Sequence, residues 1–546
     1  MQSWNEYYPR PQLRRESFLS LNGVWQLNGS DITVPFPPES KAAQYAGKMD
    51  ENMSYERTFE LPEGFHKGRE RVLLHFGAVD QICHVYVNNQ LVVRHEGGYL
   101  PFSADITDYL CLGENQLRVE AEDTLSHDYP YGKQRKDRGG MWYTPVSGIW
   151  QSVWLESVPE KYIEQIKITP DLNGVMIHVT TKEEKCTVTA DGRQWEIAAN
   201  TDVRLEIPHP RHWSPQQPYL YDMVITAGED RVESYFALRT VTIEQINGVP
   251  RVCLNGNPIF MNGLLDQGYF VEGIYLPASP DGFDKDVENM QELGFNLLRK
   301  HIKVEPEAFY YACDKRGMLV MQDMVNSGDY SFFRDTALPT VGFKWWPDWR
   351  PGGKKRKEFF EKHCSDTLQH LYNHPCVIAY TIFNEGWGQY DSDRIYRRLK
   401  QLDPTRFYDS TSGWFAKKKS DVDSLHIYFR NAVLKPRKRP MLLSECGGYK
   451  RAIAGHVFAD GDYGYGKTDS EEALTAKIEE MYRIMVLPDH PTPLTVQTHT
   501  STPVPFLIYD NRETHEGVDC FTEEAARATG IYQPVGSDLL LKCFKK

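Results

Sequence analysis

The chain has 546 residues, of which 40% are hydrophobic, so it is too long for one core and should divide into about three or four domains. Its formal net charge of -13 disfavours nucleic acid and anionic membranes as partners, because both require concentrated positive surface. The N-terminus lacks an apolar signal-like region and no 18-residue apolar stretch occurs, so we predict a cytoplasmic protein without a membrane span.

Residues 1 to about 157 alternate apolar and polar side chains with a period of two, which predicts an all-β sandwich. Asn88-Asn89 lies between two such runs and indicates a hairpin turn. From about 158 the strand-like runs are shorter, as in a smaller sandwich. We therefore predict an N-terminal jelly-roll β-sandwich at 1–157 and a second β-sandwich at 158–246.

After residue 247, strand-like runs alternate with helical patterns, which is typical of a parallel sheet with crossover helices. The runs are IFMNGLLDQ (259–267), FNLLRKH (295–301), MLVMQDM (318–324), VIAYTIFNE (377–385), FYDSTSG (407–413), SLHIYF (424–429) and MLLSE (441–445). The helical segments are DGFDKDVENMQELG, EPEAFYYACDKRG, KKRKEFFEKHCSDTLQHLYNH and SDRIYRRLKQLD. The predicted fold class is thus multidomain α and β, with a C-terminal (β/α)8 TIM barrel at 247–510.

The ten cysteines are scattered from Cys83 to Cys543 without a C-x-x-C pair. This spacing indicates neither a zinc cluster nor a disulfide framework. We name no metal-binding residue and no cofactor, and the metal requirement stays open. The composition favours a neutral or small ligand as partner, and a homo-oligomer stays open.

The fourth run of the predicted barrel passes directly into Asn384-Glu385 and then a Gly-Trp-Gly corner. Glu385 would lie at the carboxyl end of a buried strand, which is where parallel α/β folds place their chemistry. A carboxylate that caps the next helix explains this residue equally well.

The seventh run delivers a second glutamate, Glu445, into another glycine-rich corner. If both strands belong to one barrel, Glu385 and Glu445 face the same mouth. Cleavage of a glycosidic bond needs such a pair, because one carboxyl protonates the departing oxygen while the other attacks or activates water. A second structural cap is the alternative, but two acids at the same register favour catalysis.

Asn384-Glu385 and Ser444-Glu445-x-Gly-Gly resemble the paired signatures of glycoside hydrolase family 2, which includes β-galactosidases and β-glucuronidases. The resemblance extends along most of the chain. It includes LNGVWQL (21–27), WYTPVSGIWQSVWLE (142–156), FALRTVTI (236–243), LNGNPIFMNG (254–263), GFNLLRKH (294–301) and NHP (373–375). The order of these segments implies the family's sugar-binding jelly roll, immunoglobulin-like sandwich and catalytic barrel.

By this resemblance, Glu385 is the general acid/base and Glu445 the nucleophile of a retaining mechanism. Asn384 would hydrogen-bond the sugar 2-hydroxyl, and Tyr428 would hydrogen-bond the nucleophile. Tyr428 could equally be wall packing, and His426 a core histidine. The residues expected to bind the substrate are Asn384, Tyr428, His426, Arg299, His301, Asp266 and Trp387.

The chain departs from the family pattern at positions that bear on the sugar. Galactosidases of the family end the first barrel strand in Asn-x-His, whereas here it ends in Leu265-Asp266-Gln267, and Arg299-Lys300-His301 stands near an Arg-x-Ser-His pattern. The Asn-x-Lys pair of the family's glucuronidases is not found in the barrel region. Cations that could instead pair with a sugar carboxylate, or form a solvated face, are Lys300, Arg430 and Lys417-Lys418-Lys419.

Two further segments bear on the barrel. The 345-WWPDW-349 cluster is either an aromatic wall for the sugar or packing between loop and barrel. The resemblance stops near residue 488, although the helix 471–488 fits the family, and prolines between 491 and 505 disfavour a central strand before FLIYD (506–510). We predict that the tail, with 511–546 as its divergent end, is either a lineage-specific replacement or the product of a shifted reading frame.

The sequence therefore predicts an exo-acting retaining β-glycosidase with a carbohydrate substrate. Terminal β-galactosides are the leading substrate class, and β-glucuronides or β-galacturonides are the alternative. A non-catalytic carbohydrate-binding protein on the same scaffold is a hypothesis of a different class.

Overall fold

The computed structural model describes residues 2–66, 70–137, 140–340, 343, 353–428, 437–453 and 464–486. The described residues form two compact units. The first unit holds those up to Ile427 and 437–446, and the second holds Tyr428, 447–453 and 464–486. Among them, no helix is both long and apolar enough to cross a membrane.

The first sandwich has two antiparallel sheets whose inward side chains form the core. One sheet contains, in spatial order, the strands Phe18–Ser20, Val153–Val158, Arg71–Phe76 and Phe102–Asp105. The other contains Ser30–Val34, Gly23–Leu27, Asn52–Glu60, Glu114–Glu122, Ile82–Val87 and Gln90–Glu96. A short pair, Val79–Asp80 with Gly148–Ile149, and a turn of 3-10 helix, Thr107–Tyr109, complete it. The predicted hairpin is confirmed, since Asn88 and Asn89 have φ of 48° and 62° between two paired strands.

The second sandwich has a separate hydrophobic core. Its strands are Ile163–Pro170, Gly174–Thr181 and Val203–Glu206 in one sheet, and Arg193–Ala198, Lys185–Ala190, Tyr221–Ala227 and Asp230–Phe236 in the other. A small sheet of Val241–Ile246, Val249–Leu254 and Asn257–Pro258 follows. The predicted domain boundaries at 157, 246 and 510 stay predictions.

The barrel strands are all parallel to their neighbours. The first five form one sheet: Gly263–Asp266, Leu297–Lys300, Leu319–Asp323, Val377–Asn384 and Phe407–Ser412. The sixth and seventh, Asp423–Ile427 and Met441–Cys446, pair with each other. Every strand begins and ends within or one residue beyond a predicted run. The fourth is buried along its whole length, as its continuous apolar sequence predicts.

Helices connect these strands at the predicted places. They are Asp281–Glu292, Glu307–Arg316, Lys354–Leu371 and Ser392–Leu402, with a short π-helical turn at Phe333–Ala337 that continues into Leu338–Thr340. The second helix ends at Gly317, whose φ of 77° is the left-handed conformation of a glycine cap. The predicted fold class, two β-sandwiches followed by a TIM barrel, is confirmed.

The second unit contains a short parallel pair, Tyr449–Lys450 with Gly466–Lys467, and the helix Glu471–Val486. This helix confirms the pattern predicted for 471–488 as far as the described residues extend. The predicted eighth strand near the C-terminus and its candidate FLIYD lie outside the described residues.

Candidate active site

The carboxyl ends of the fourth and seventh barrel strands bring two glutamates close together. The fourth strand ends at Asn384, directly before Glu385, and the seventh contains Glu445. One carboxylate oxygen of each glutamate and one ring nitrogen of His426 all lie within 4.8 Å of one another. The two acids that the sequence pairs are therefore also paired in space.

The chain turns sharply at Glu385. Its φ of 52° is unfavourable for a non-glycine residue, a feature that clusters at functional sites. Its N–H donates to the carbonyl of Ser412 at 2.9 Å, which ties the turn to the fifth strand. Gly388 has φ of 67°, and a Cβ there would lie 2.2 Å from the carbonyl oxygen of Ser327. The glycine corner thus allows the turn that leaves Glu385 at the barrel mouth.

Arg299, from the second strand, is the centre of the hydrogen-bond network beneath the site. Its Nε and Nη2 each lie 3.0 Å from a carboxylate oxygen of Asp323. Nη1 donates to Glu445 Oε1 at 2.8 Å and to the Ser444 carbonyl at 3.3 Å, and Nη2 donates to Asn384 Oδ1 at 2.9 Å. Arg299 therefore orients both the second glutamate and the asparagine, and its predicted contact with substrate stays a prediction.

Glu445 is held as a buried anion. Burial by itself would raise the pKa of its carboxyl, but the charges of His426, Arg299 and His301 together bring that pKa well below its ordinary value. An ionised carboxylate is the form that attacks an anomeric carbon.

His426, from the sixth strand, lies between the two glutamates with its side chain fully buried. Its Nδ1 is 2.8 Å from Glu385 Oε1, and its Nε2 is 2.7 Å from Ser412 Oγ and 3.5 Å from Glu445 Oε1. Two carboxylates and an imidazole at this spacing could hold a divalent cation. Both ring nitrogens already have hydrogen-bond partners, however, so the geometry suits a histidine that positions the carboxylates.

His301 and Asp266 lie at the ends of the second and first strands. His301 Nδ1 is 2.6 Å from Asp323 Oδ2 in the interior network, and burial is the main cause that lowers the pKa of its imidazole. Asp266 Oδ2 is 2.7 Å from Lys300 Nζ, and its Oδ1 accepts the N–H of Gly268. The side chain of Asp266 is partly exposed, so it could reach a ligand, whereas that of His301 is fully buried.

Trp387 packs in an aromatic cluster between the barrel and the first sandwich. Its indole N–H donates to the carbonyl of Gly328 at 2.8 Å. Its ring makes edge contacts with Tyr131 and Trp142, both from the first sandwich. Only 2% of Trp387 is exposed, so its predicted contact with the sugar would be limited to a ring edge.

Tyr428, the lysine run at 417–419, Arg430 and the aromatic cluster remain among the predicted residues. Tyr428 packs on the ring of Tyr465 at 4.3 Å, and its predicted hydrogen bond to the nucleophile stays a prediction. Lys418 and Lys419 are exposed, which suits a solvated face. The aromatic cluster 345–349 and Arg430 lie outside the described residues.

The structure adds three residues that the sequence reasoning missed. Asp323 ends the third strand and contacts Arg299. Like Glu385, it lies at the carboxyl end of a buried strand, so the same argument would have identified it. Asp409 lies on the fifth strand, where burial raises the pKa of its carboxyl to about 6. Lys133 comes from the first sandwich, and no local motif marks it.

Replacing Arg299 with methionine should destabilise the protein at neutral pH by about 3–5 kcal/mol, because it removes the arginine that two buried carboxylates, Asp323 and Glu445, share. The pKa of Glu445 is depressed in the folded state, so the stability it contributes is present above its ordinary pKa of 4.5 and is lost as pH falls below it. Urea unfolding from pH 7 to pH 3 should therefore show the difference from wild type shrinking towards acid.

A matched control for this measurement is Arg394→Met on the barrel surface. Arg394 pairs with Glu361 while its side chain is 48% exposed, so its loss should cost about 1 kcal/mol or less. A difference for Arg299→Met that is small, or independent of pH, would contradict the electrostatic role.

Three family models for "Glycosyl hydrolases family 2" match successive parts of the chain. The sugar binding domain matches residues 4–159, the general family model 161–239 and the TIM barrel domain 252–438. They follow the order of the two sandwiches and the barrel.

Curated relatives agree with these matches. The chain is 23% identical to a β-galactosidase of Thermoanaerobacter pseudethanolicus over 64% of its length, and 24% identical to one of Aeromonas hydrophila over 71%. The match covers less than half of the length of these relatives, 46% of the first and 40% of the second.

Solved structures share the fold at 20% sequence identity. A β-D-glucuronidase of Dictyoglomus thermophilum has a TM-score of 0.67 over 88% of this chain and 89% of its own. A β-galacturonidase of Eisenbergiella tayi has a TM-score of 0.61 over 87% of both chains.

Residues 471–540, which include most of the tail, match a different family model, that of the Metalloenzyme superfamily. The match begins at 471, so the helix Glu471–Val486 goes with the tail, contrary to our prediction that it fits the family of the barrel. A shifted reading frame would produce a sequence without a family match, so this finding favours a replacement.

Proposed function

The chain belongs to glycoside hydrolase family 2, and from this premise we propose that it is an exo-acting, retaining β-glycosidase. The observation that carries the proposal is the pair Glu385 and Glu445, whose nearest carboxylate oxygens lie within 4.8 Å. Retaining enzymes hold their two carboxyl groups about 5–5.5 Å apart, while inverting enzymes leave more room for a water molecule.

In the proposed mechanism, Glu445 attacks the anomeric carbon while Glu385 protonates the departing oxygen. Asn384, which Arg299 holds at 2.9 Å, would bind the sugar 2-hydroxyl. Glu385 then removes a proton from the water that hydrolyses the glycosyl-enzyme. His426 would keep the first carboxylate directed at the second through its contact at 2.8 Å.

The substrate class is a terminal β-galactoside or a β-uronide. The curated relatives are named β-galactosidases, whereas the similar structures are those of a β-glucuronidase and a β-galacturonidase. A non-catalytic carbohydrate-binding protein is disfavoured because both glutamates are present and adjacent.

A panel of nitrophenyl glycosides tests this proposal: β-galactoside, β-glucuronide, β-galacturonide, β-mannoside and α-arabinoside. We expect hydrolysis of one β-galactoside or β-uronide, with the β-anomer of the sugar appearing first in the NMR spectrum. Release of the α-anomer first would show inversion. Sugar binding without hydrolysis of any substrate would support the carbohydrate-binding alternative.

A further inference from the structure

The first sandwich sends one segment, residues 126–137, onto the barrel mouth. The N–H groups of Tyr131 and Gly132 donate to the carbonyl of Asn326 at 3.0 and 3.1 Å, and the Tyr131 hydroxyl donates to the carbonyl of Gly328 at 2.9 Å. Asn326 and Gly328 follow the third barrel strand. These bonds fix the segment against the loop beside the candidate active site.

Lys133, a residue of this segment, lies beside the end of the second barrel strand. On one side, Gly132 has φ of 64°, and a Cβ there would lie 2.8 Å from the carbonyl oxygen of Ile302. On the other side, the Lys133 carbonyl accepts the N–H of Tyr143 at 2.7 Å, and the Tyr143 hydroxyl donates to the His301 carbonyl at 3.4 Å. The backbone of Lys133 is thereby held next to the end of the second strand.

Among the described residues, the ammonium group of Lys133 has no counter-ion. The residue is only 8% exposed, and within the described part of the chain its Nζ has no hydrogen bond and no ion pair. Charge burial without a partner is costly, so this arrangement suits a site that an anionic ligand completes.

The charge of Lys133 also acts on residues of the candidate site. After burial, the Lys133 charge is the largest cause that lowers the pKa of His301, and it is a minor cause of the low pKa of Glu445. The charge of Lys133 thus acts on both residues, and among the described residues no hydrogen bond or ion pair joins its ammonium group to either.

The other cations at and just after the end of the second strand are already paired. Arg299 uses its donors on Asp323, Glu445, Ser444 and Asn384. Lys300 lies 2.7 Å from both Asp266 and Glu305, and Lys303 lies 3.0 Å from Glu305. Lys133 differs from these three cations, because it is largely buried and has no carboxylate partner among the described residues.

We propose that Lys133 is the specificity-determining residue of the site and binds the 6-carboxylate of a terminal β-uronide. This inference rests on the proposed β-glycosidase function and selects the uronide from its two substrate classes. The cation comes from the N-terminal sandwich and not from the barrel, where the family's glucuronidases place their Asn-x-Lys pair. An ammonium group in a largely buried site pairs strongly with a carboxylate.

The proposal is tested by comparing Lys133→Gln with wild type on nitrophenyl β-glucuronide, β-galacturonide and β-galactoside. The ratio of kcat/KM on the better uronide to that on the galactoside should fall by about 10²-fold or more, mainly through KM. Lys133→Arg keeps a cation and should retain most of the ratio. Lys136→Gln is the matched control, because Lys136 is an exposed lysine of the same segment that pairs with Glu51.

Two outcomes would overturn the assignment. If Lys133→Gln lowers activity on uronides and galactosides equally, the lysine acts only through the charge of Glu445. If calorimetry shows that the wild-type protein binds neither glucuronate nor galacturonate more tightly than galactose, the site does not select an anion. Calorimetry does not depend on turnover, so failure of this inference is distinguishable from failure of the glycosidase proposal, which the anomer released decides.

Discussion

Replacing Glu445 with glutamine is expected to lower kcat/KM on every glycoside that the protein hydrolyses by about 10⁴-fold or more. The change removes the atom that would bond to the anomeric carbon, while glutamine keeps the volume of the side chain. Since the glycosyl-enzyme cannot form, neither step of a double displacement remains.

The surroundings of Glu445 make this residue the stronger candidate for nucleophile. Arg299 contacts its Oε1 at 2.8 Å, and His426 lies 3.5 Å from the same oxygen, so the carboxylate is held ionised in a buried position. Glutamine at this position would still accept the hydrogen bond from Arg299 through its amide oxygen. The variant should therefore fold, and its circular dichroism spectrum should match that of wild type.

The decisive measurement is covalent labelling by a 2-deoxy-2-fluoro glycoside of the sugar that the panel identifies. Mass spectrometry of peptic fragments should find the sugar on Glu445 in wild type and on no residue in Glu445→Gln. Glu361→Gln is a suitable control, since this helix residue forms ion pairs with Arg394 and Arg398 away from the site. Label on any other carboxylate would contradict the assignment.

The sequence predicts the barrel well because its strands carry a strong local signal. A parallel strand buried on both faces is typically apolar along most of its length, and Val377 to Phe383 contains the buried Thr381 as its one strongly polar residue. The position of Glu385 follows from where such a strand ends. The same rule identifies Glu445, and it would also have identified Asp323.

Residues whose place depends on packing between domains or between strands could not be predicted in this way. Lys133 is far from Glu445 in the sequence, and the segment that carries it has no periodic pattern. Its place depends on hydrogen bonds from Tyr131 and Gly132 to a carbonyl in a barrel loop. The bridging position of His426 likewise depends on how the fifth and sixth strands lie side by side, a matter of tertiary packing.

Replacing Glu385 with alanine should have an effect that depends on the leaving group. On alkyl glycosides, whose alkoxide departs only when protonated, kcat/KM should fall by about 10²–10⁴-fold. On dinitrophenyl glycosides, whose leaving group needs no proton, the first step should keep an appreciable rate. Stopped-flow detection of the dinitrophenolate burst measures that step directly.

Azide provides the complementary test of Glu385, because the second step needs a general base to activate water. In Glu385→Ala, azide needs no proton removal and should attack the glycosyl-enzyme from the face that Glu385 occupied, giving the β-glycosyl azide and faster turnover. The contact of His426 with Glu385 at 2.8 Å makes His426→Asn a useful comparison, since it leaves the carboxyl in place and should gain nothing from azide. Equal losses on alkyl and dinitrophenyl glycosides, or an α-glycosyl azide from Glu385→Ala, would show that Glu385 is not the acid/base.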